Sequence, residues 1–125
     1  MMINILVDDK GFHPFKQNNA KQIIATDKPE DMIATVLEEN EVTIHFESAA
    51  DGRGFSIARR LRELGYGGKI YASGALICDQ YRHARQSGFD GVLLTVEQAI
   101  RMPQSHWLEN AKRVPVSYRN RLYAA

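Results

Sequence analysis

Glu41-Val-Thr-Ile-His-Phe46, then Asp51-Gly-Arg-Gly-Phe-Ser56, then Ile57-Ala-Arg-Arg-Leu-Arg-Glu-Leu64 is the stretch that decides the fold. Its first part is apolar and β-branched, which marks a strand. Its last part repeats apolar residues at helical spacing, with Ile57, Leu61 and Leu64 as the buried stripe and Ala58 in support. Gly65 is a C-terminal stop. The glycines flanking Arg53 therefore lie in a loop that leaves a strand and opens a helix. Such a loop directs backbone N–H groups outward at the positive end of a helix, and Arg53 adds a planar fork of donors. It either receives an anion or a partner's carboxylate, or is a tight turn whose arginine pairs with Asp51.

The same alternation continues along the chain. Lys69–Ala72 is a strand. Ser73-Gly74 opens a helix to about Ser87, with Ile77, Tyr81 and Ala84 as its stripe and Gly88 as its end. Phe89–Leu94 is a strand. Thr95-Val-Glu-Gln98 has the form of a capping box and starts a short helix that Pro103 ends; Ser105 to Arg113 add a turn or two. Upstream, Ile3–Val7 is a short strand, Asp8-Asp-Lys-Gly11 a turn and Phe12–Phe15 a second extended piece. Gln22–Thr26 is a strand. A helix starts near Asp27 with Pro29 in its first turn, and Met32, Ile33, Val36 and Leu37 share one face. Val114–Tyr118 reads as extended. From residue 41 the order is strand, helix, strand, helix, strand, helix, which predicts parallel strands joined by crossover helices.

The predicted class is therefore α/β: a small, mostly parallel sheet flanked by helices, with an extended N-terminal section. The 125 residues form one domain, long enough to bury a core without disulfides or metal. The single cysteine, Cys78, excludes an internal disulfide framework and suits a reducing compartment. No stretch approaches the length that spans a bilayer, and the first residues lack the basic start of a signal peptide, so a cytoplasmic protein is expected. Charge is uneven. Residues 1–50 hold four lysines and nine acids, a balance of −5, whereas residues 51–125 hold twelve Lys/Arg and six acids, a balance of +6. The second half is the expected surface for an anionic ligand or an acidic partner. The basic helix face of Arg59, Arg60 and Arg62 is partly neutralised by Glu63 four residues after Arg59. It lacks interleaved aromatics, so nucleic acid is not expected.

Ligands of parallel sheets bind outside the carboxyl ends of the strands. The loops there are 47–54, 73–74 and 95–97, carrying Asp51 and Arg53, Ser73 and Gly74, and Thr95 and Glu97. Further along, Asp79 lies one turn before Arg82 and His83 on neighbouring helix faces, either a polar cluster facing a cleft or partner or a solvated ion pair. Gln80 points elsewhere, toward a neighbouring loop. Cys78 sits well inside its helix, as a small core or subsurface residue. The glycine loop is no dinucleotide fingerprint, because Ile57 stands where the third glycine belongs, and Gly67-Gly-Lys69 is followed by Ile70, not Ser or Thr. His13, His45, His83 and His106 have no metal-ligand spacing. No cofactor and no metal are expected, and no nucleophile–base pair is readable. Asp8-Asp9 suit a turn. Trp107, Tyr118 and Tyr123 belong either to an oligomer or partner contact or to the packing of the last helix.

Asp51-Gly-Arg-Gly-Phe-Ser-Ile-Ala-Arg59, Leu61-Arg62, Gly65-Tyr66, Gly68-Lys-Ile-Tyr-Ala72, Gly74, Asp79-Gln80 and Gly88-Phe-Asp90, read together, resemble an uncharacterised bacterial family, domain of unknown function 934. Its members are labelled oxidoreductases linked to sulfite reduction. The match covers roughly residues 42–98. Two departures stand out. Ala75 and Cys78 replace an acidic and a basic residue of the family pattern, and Phe46-Glu-Ser-Ala-Ala50 replaces its Phe-Pro-Lys-Phe-Thr. Chemistry done by the replaced groups would be lost here. The resemblance implies an accessory, non-catalytic role in sulfate or sulfite assimilation, with sulfite reductase or another enzyme of that pathway as partner. The residues expected to engage the partner or a small oxyanion are Asp51, Gly52, Arg53, Gly54, Ser56, Arg59, Gly74, Asp79, Gln80 and Arg82. Two other readings stand beside it: an anion-binding enzyme or module acting on a sulfur or phosphate anion at Arg53, and a structural homo-oligomer module without ligand.

Overall fold

The computed structural model describes residues 3–16, 21–24, 30–48, 50 and 52–115. Six strands form one mixed sheet in the order β2-β1-β6-β5-β4-β3. The strands are β1 (Ile3–Asp8), β2 (Gly11–Pro14), β3 (Lys21–Ile24), β4 (Glu41–Phe46), β5 (Lys69–Gly74) and β6 (Gly91–Thr95). The helices are α1 (Glu30–Val36), α2 (Arg53–Glu63), α3 (Tyr81–Ser87), α4 (Val96–Arg101) and α5 (Gln104–Ala111), with a 3-10 turn at Cys78–Gln80 before α3.

Strands β3 to β6 are parallel, each laid beside its predecessor, and α1, α2 and α3 make the crossovers. Because every step moves the same way across the sheet, right-handed crossovers bring all three helices to one face. The extended N-terminal section is an antiparallel hairpin, β1–β2, whose first strand joins the free edge of β6, with Val7 opposite Val92. Along β4 and β5 the pleat sends Val42, Ile44, Phe46, Ile70 and Ala72 into the core, where they meet Ile33, Val36, Phe55, Ile57, Ala58 and Leu61. Thr43, His45, Tyr71 and Ser73 point to the opposite face, where Phe15 meets the Tyr71 ring edge-on at 6.0 Å.

Several expectations are corrected. The helix read as opening at Ser73-Gly74 does not start there. Strand β5 continues through Gly74, whose φ of +96° is incompatible with a helix start. The chain then bends back, Ala75 N–H donating to Phe46 O and Leu76 N–H to Gly74 O, before the 3-10 turn. Ile77 consequently lies outside the core at 46% exposure, although Tyr81 and Ala84 are buried as expected. Cys78 stands at the first position of the 3-10 turn and not inside a helix. Leu64 is 44% exposed because α2 has already turned at Gly65, and Tyr66 takes the inward position. Leu37 follows the last residue of α1 and is exposed, whereas Ile33 and Val36 are buried. Glu63 pairs with Arg60 at 3.7 Å, three residues away, and not with Arg59. Trp107 is buried, edge-on to Tyr81, and donates to Met102 O, so it packs α5 onto the fold. Asp51, Tyr118, Tyr123, residues 116–118 of the expected extended segment and the proposed helix start at 27–29 lie outside the described residues. Among the described residues, no helix is long and apolar enough to cross a membrane.

Candidate functional site

The residues singled out from the sequence separate into two places. One is the outer face of α2 and α3. These helices run side by side in the same direction, in step: Phe55 stacks on His83 with ring centroids 4.2 Å apart, and one turn later Arg59 Nη2 donates to Ser87 Oγ at 3.4 Å. Arg53, Ser56, Arg59 and Arg60 on α2 and Arg82 and His83 on α3 are exposed there, and Gly52 caps the end of α2. Asp79, in the 3-10 turn, is exposed as well and accepts from Cys78 Sγ at 3.8 Å. Burial and the Asp79 carboxylate push the Cys78 thiol up from its ordinary value, which disfavours the thiolate. The expected Asp79–Arg82–His83 cluster does not form as a unit, because the His83 ring is taken by Phe55. Gln80 Oε1 accepts from Ile77 N–H at 3.1 Å and closes the turn that starts its own helix.

The two glycines beside Arg53 have different duties. A Cβ on Gly54 would fall 2.2 Å from the Phe46 ring, so Gly54 lets α2 cross β4 closely. A Cβ on Gly52 meets nothing within 4 Å. Gly54 is therefore a packing residue, buried where α2 crosses β4.

The second place is the carboxyl edge of the sheet. A cavity of about 460 Å³ opens there, lined by His45, Phe46 and Glu47 at the end of β4, Gly74 and Ala75 at the end of β5, Thr95 at the end of β6, Glu97, Gln98 and Arg101 of α4, and Ile3 of β1. Of the expected residues, Gly74 lines it, with the loop residues Thr95 and Glu97; Arg53 does not. Its floor is tied together. The Gln98 side chain donates from Nε2 to Gly74 O at 2.7 Å and accepts at Oε1 from Thr95 N–H at 3.0 Å, while Gln98 N–H donates to Thr95 Oγ1, the expected capping box. A Cβ at Gly74 would lie 2.2 Å from Phe46 O. His45 Nδ1 shares a hydrogen bond of 3.2 Å with the buried Ser73 Oγ, a contact between neighbouring strands that sequence spacing does not announce.

Most of the remaining motif residues meet at the opposite, amino edge. The Arg62 guanidinium donates to Gly88 O twice, at 3.0 and 2.8 Å, to Tyr66 O and Gly68 O at 2.8 Å, and to Asp90 Oδ2 at 2.9 Å. Asp90 also receives Ile70 N–H at 2.9 Å. The blocks Leu61-Arg62, Gly65-Tyr66, Gly68 and Gly88-Phe-Asp90 are thus one clamp that joins the end of α2 to the α2–β5 and α3–β6 loops. A second buried pair lies nearby: Arg85 holds Asp9 through Nε and Nη2 at 3.2 and 3.3 Å and donates to Phe89 O, and Tyr81 Oη–H donates to Asp9 at 2.6 Å. Burial and the Asp9 carboxylate raise the Tyr81 phenol far above its ordinary value, so it stays a donor. Asp8 does serve the turn, accepting Lys10 N–H, but Asp9 is drawn into the core.

Among known families, the model of a bacterial protein of unknown function (DUF934) matches residues 21–124. No curated protein and no solved structure matches the chain.

Proposed function

The chain belongs to the DUF934 family of bacterial proteins of unknown function, and on that premise we propose that it is a non-catalytic accessory protein that docks on an acidic face of a partner enzyme through α2 and α3. The observation that carries this reading is the spread of exposed arginines. Arg53, Arg59, Arg60 and Arg82 stand exposed on two adjacent helices, and none of them lines the 460 Å³ cavity. A small oxyanion needs donors that converge on one point; guanidinium groups spread along two helices suit the carboxylates of a protein. The pathway comes from the resemblance, which points to assimilatory sulfate or sulfite reduction, with sulfite reductase as the first partner to try.

The test is a surface-binding assay with purified sulfite reductase, using wild type and the charge-reversed pair Arg59→Glu/Arg82→Glu. Saturable binding that weakens with salt and is lost in the pair supports the reading. Binding that the pair leaves unchanged sinks the proposed face, and no binding by wild type sinks this partner. The reading of Arg53 as an oxyanion site fits less well, because Arg53 lies away from the cavity.

A further inference from the structure

The cavity at the carboxyl edge is built from residues that the partner-docking reading does not use. Its volume, about 460 Å³, is within the range of roughly 300–1,000 Å³ typical of organic ligands and far beyond the size of an oxyanion. A second cavity of about 360 Å³ shares Ala75, Gln98 and Arg101 with it and adds Leu76, Ile77 and Met102, so the groove runs on along an apolar wall.

Charge selects among organic ligands. Glu47 reaches the cavity from the loop after β4 and Glu97 from the first turn of α4, and Arg101 is the one cation among its described lining residues. With His45 neutral the lining carries a net charge of −1, which opposes an anion and attracts a cation. The His45 ring stands beside them: its Nδ1 shares a hydrogen bond with Ser73 Oγ, and in the tautomer that carries the proton on Nδ1 the Nε2 atom is an acceptor, suited to an ammonium N–H. The apolar walls, Ile3 and Ala75, suit a hydrocarbon body. The site is also preformed: Gln98 staples the Gly74 and Thr95 turns to each other, so binding need not order them.

We propose that this cavity is a binding site for a small organic amine: a protonated nitrogen held between Glu47, Glu97 and the His45 ring, and an apolar body lying along Ile3 and Ala75. It is separate from the α2–α3 face.

The experiment is an isotope-edited NMR titration of the full chain with three probes of similar body or contrasting charge: phenethylamine, 3-phenylpropionate and sulfite. Phenethylamine should shift the backbone signals of Gly74, Ala75 and Thr95 saturably, and 3-phenylpropionate and sulfite should not. Glu47→Gln and Glu97→Gln remove one charge each at exposed positions that the fold does not need, and each should weaken the amine about tenfold, the loss of one charge-assisted contact. Arg59→Glu/Arg82→Glu should leave amine binding unchanged, which separates this site from the docking face. The proposal is overturned if phenethylamine leaves these signals in place, if either anion binds as tightly, or if both glutamine variants bind the amine like wild type.

Discussion

Replacing Asp9 by alanine should be among the most damaging single changes in this protein, although Asp9 belongs to a surface turn by sequence. The Arg85 side chain is fully buried and the Asp9 side chain is 6% exposed. At 3.2 Å and an effective dielectric constant of roughly 20, their attraction amounts to about 5 kcal/mol. Breaking such a pair by removing one partner costs about 3–5 kcal/mol, because the remaining charge stays buried without that partner. Tyr81 would lose its acceptor at the same time. Against a total stability of about 5–15 kcal/mol, this loss should lower the melting temperature by roughly 10–20 °C. Chemical denaturation of Asp9→Ala, Arg85→Met and the double variant gives the answer. The double variant should be more stable than Asp9→Ala, since it removes the stranded charge along with its partner. If Asp9→Ala loses less than about 1 kcal/mol, or if the double variant is no better than Asp9→Ala, the pair is not the determinant argued here.

Other outcomes follow from the same geometry. Gly54→Ala, which drives a Cβ into the Phe46 ring, should lose about 1–3 kcal/mol in urea denaturation, whereas Gly52→Ala should fall within about 0.5 kcal/mol of wild type. Equal effects at the two sites would contradict the assignment of Gly54 to packing. Arg62→Lys keeps the charge but cannot serve Tyr66, Gly68, Gly88 and Asp90 together, and should lose about 2–4 kcal/mol; a neutral result would mean the clamp contributes little. Burial, then Glu41, Asp90 and Asp8, pushes the Tyr71 phenol from 10.0 up to about 12. The unfolded chain therefore releases this proton first. The stabilisation is fully present below pH 10 and is lost as pH rises to about 12. Tyr71→Phe should flatten the fall in melting temperature across that window, and an unchanged slope would rule Tyr71 out as a source of alkaline unfolding.

The parallel core was legible because its signals are local. β-branched runs at 41–46 and 69–72 gave strands, the spacing of Ile57 and Leu61 gave α2, and Thr95 with Gln98 gave the start of α4. What failed was also local in origin. Ser73-Gly74 resembles a helix start, but the left-handed Gly74 turns the chain back over Phe46 first. The site was legible only as a location. The carboxyl edge is where the cavity lies, yet His45 and Ser73 meet across strands 28 residues apart, and Glu47 had no motif to mark it. Arg62, Tyr66, Gly68, Gly88 and Asp90 carry the family resemblance, and what they do in the fold is hold the amino edge closed. Asp9 was hidden because a turn aspartate and a core counter-charge have the same sequence neighbourhood.

The β1–β2 hairpin ends before residue 21, where the family match begins. Similarity and autonomy therefore have different boundaries in this chain. A fragment starting at residue 21 would contain every matched residue but expose one side of β6 along its backbone, with Val92 and Leu94 beside it, and would remove Asp9 from Arg85. An open strand edge next to apolar side chains invites pairing between copies. The matched segment expressed alone should thus self-associate, and supplying the hairpin as a separate peptide should return it to monomers. The unit that a genome can shuffle, on this view, is the whole sheet, not the part that sequence comparison outlines.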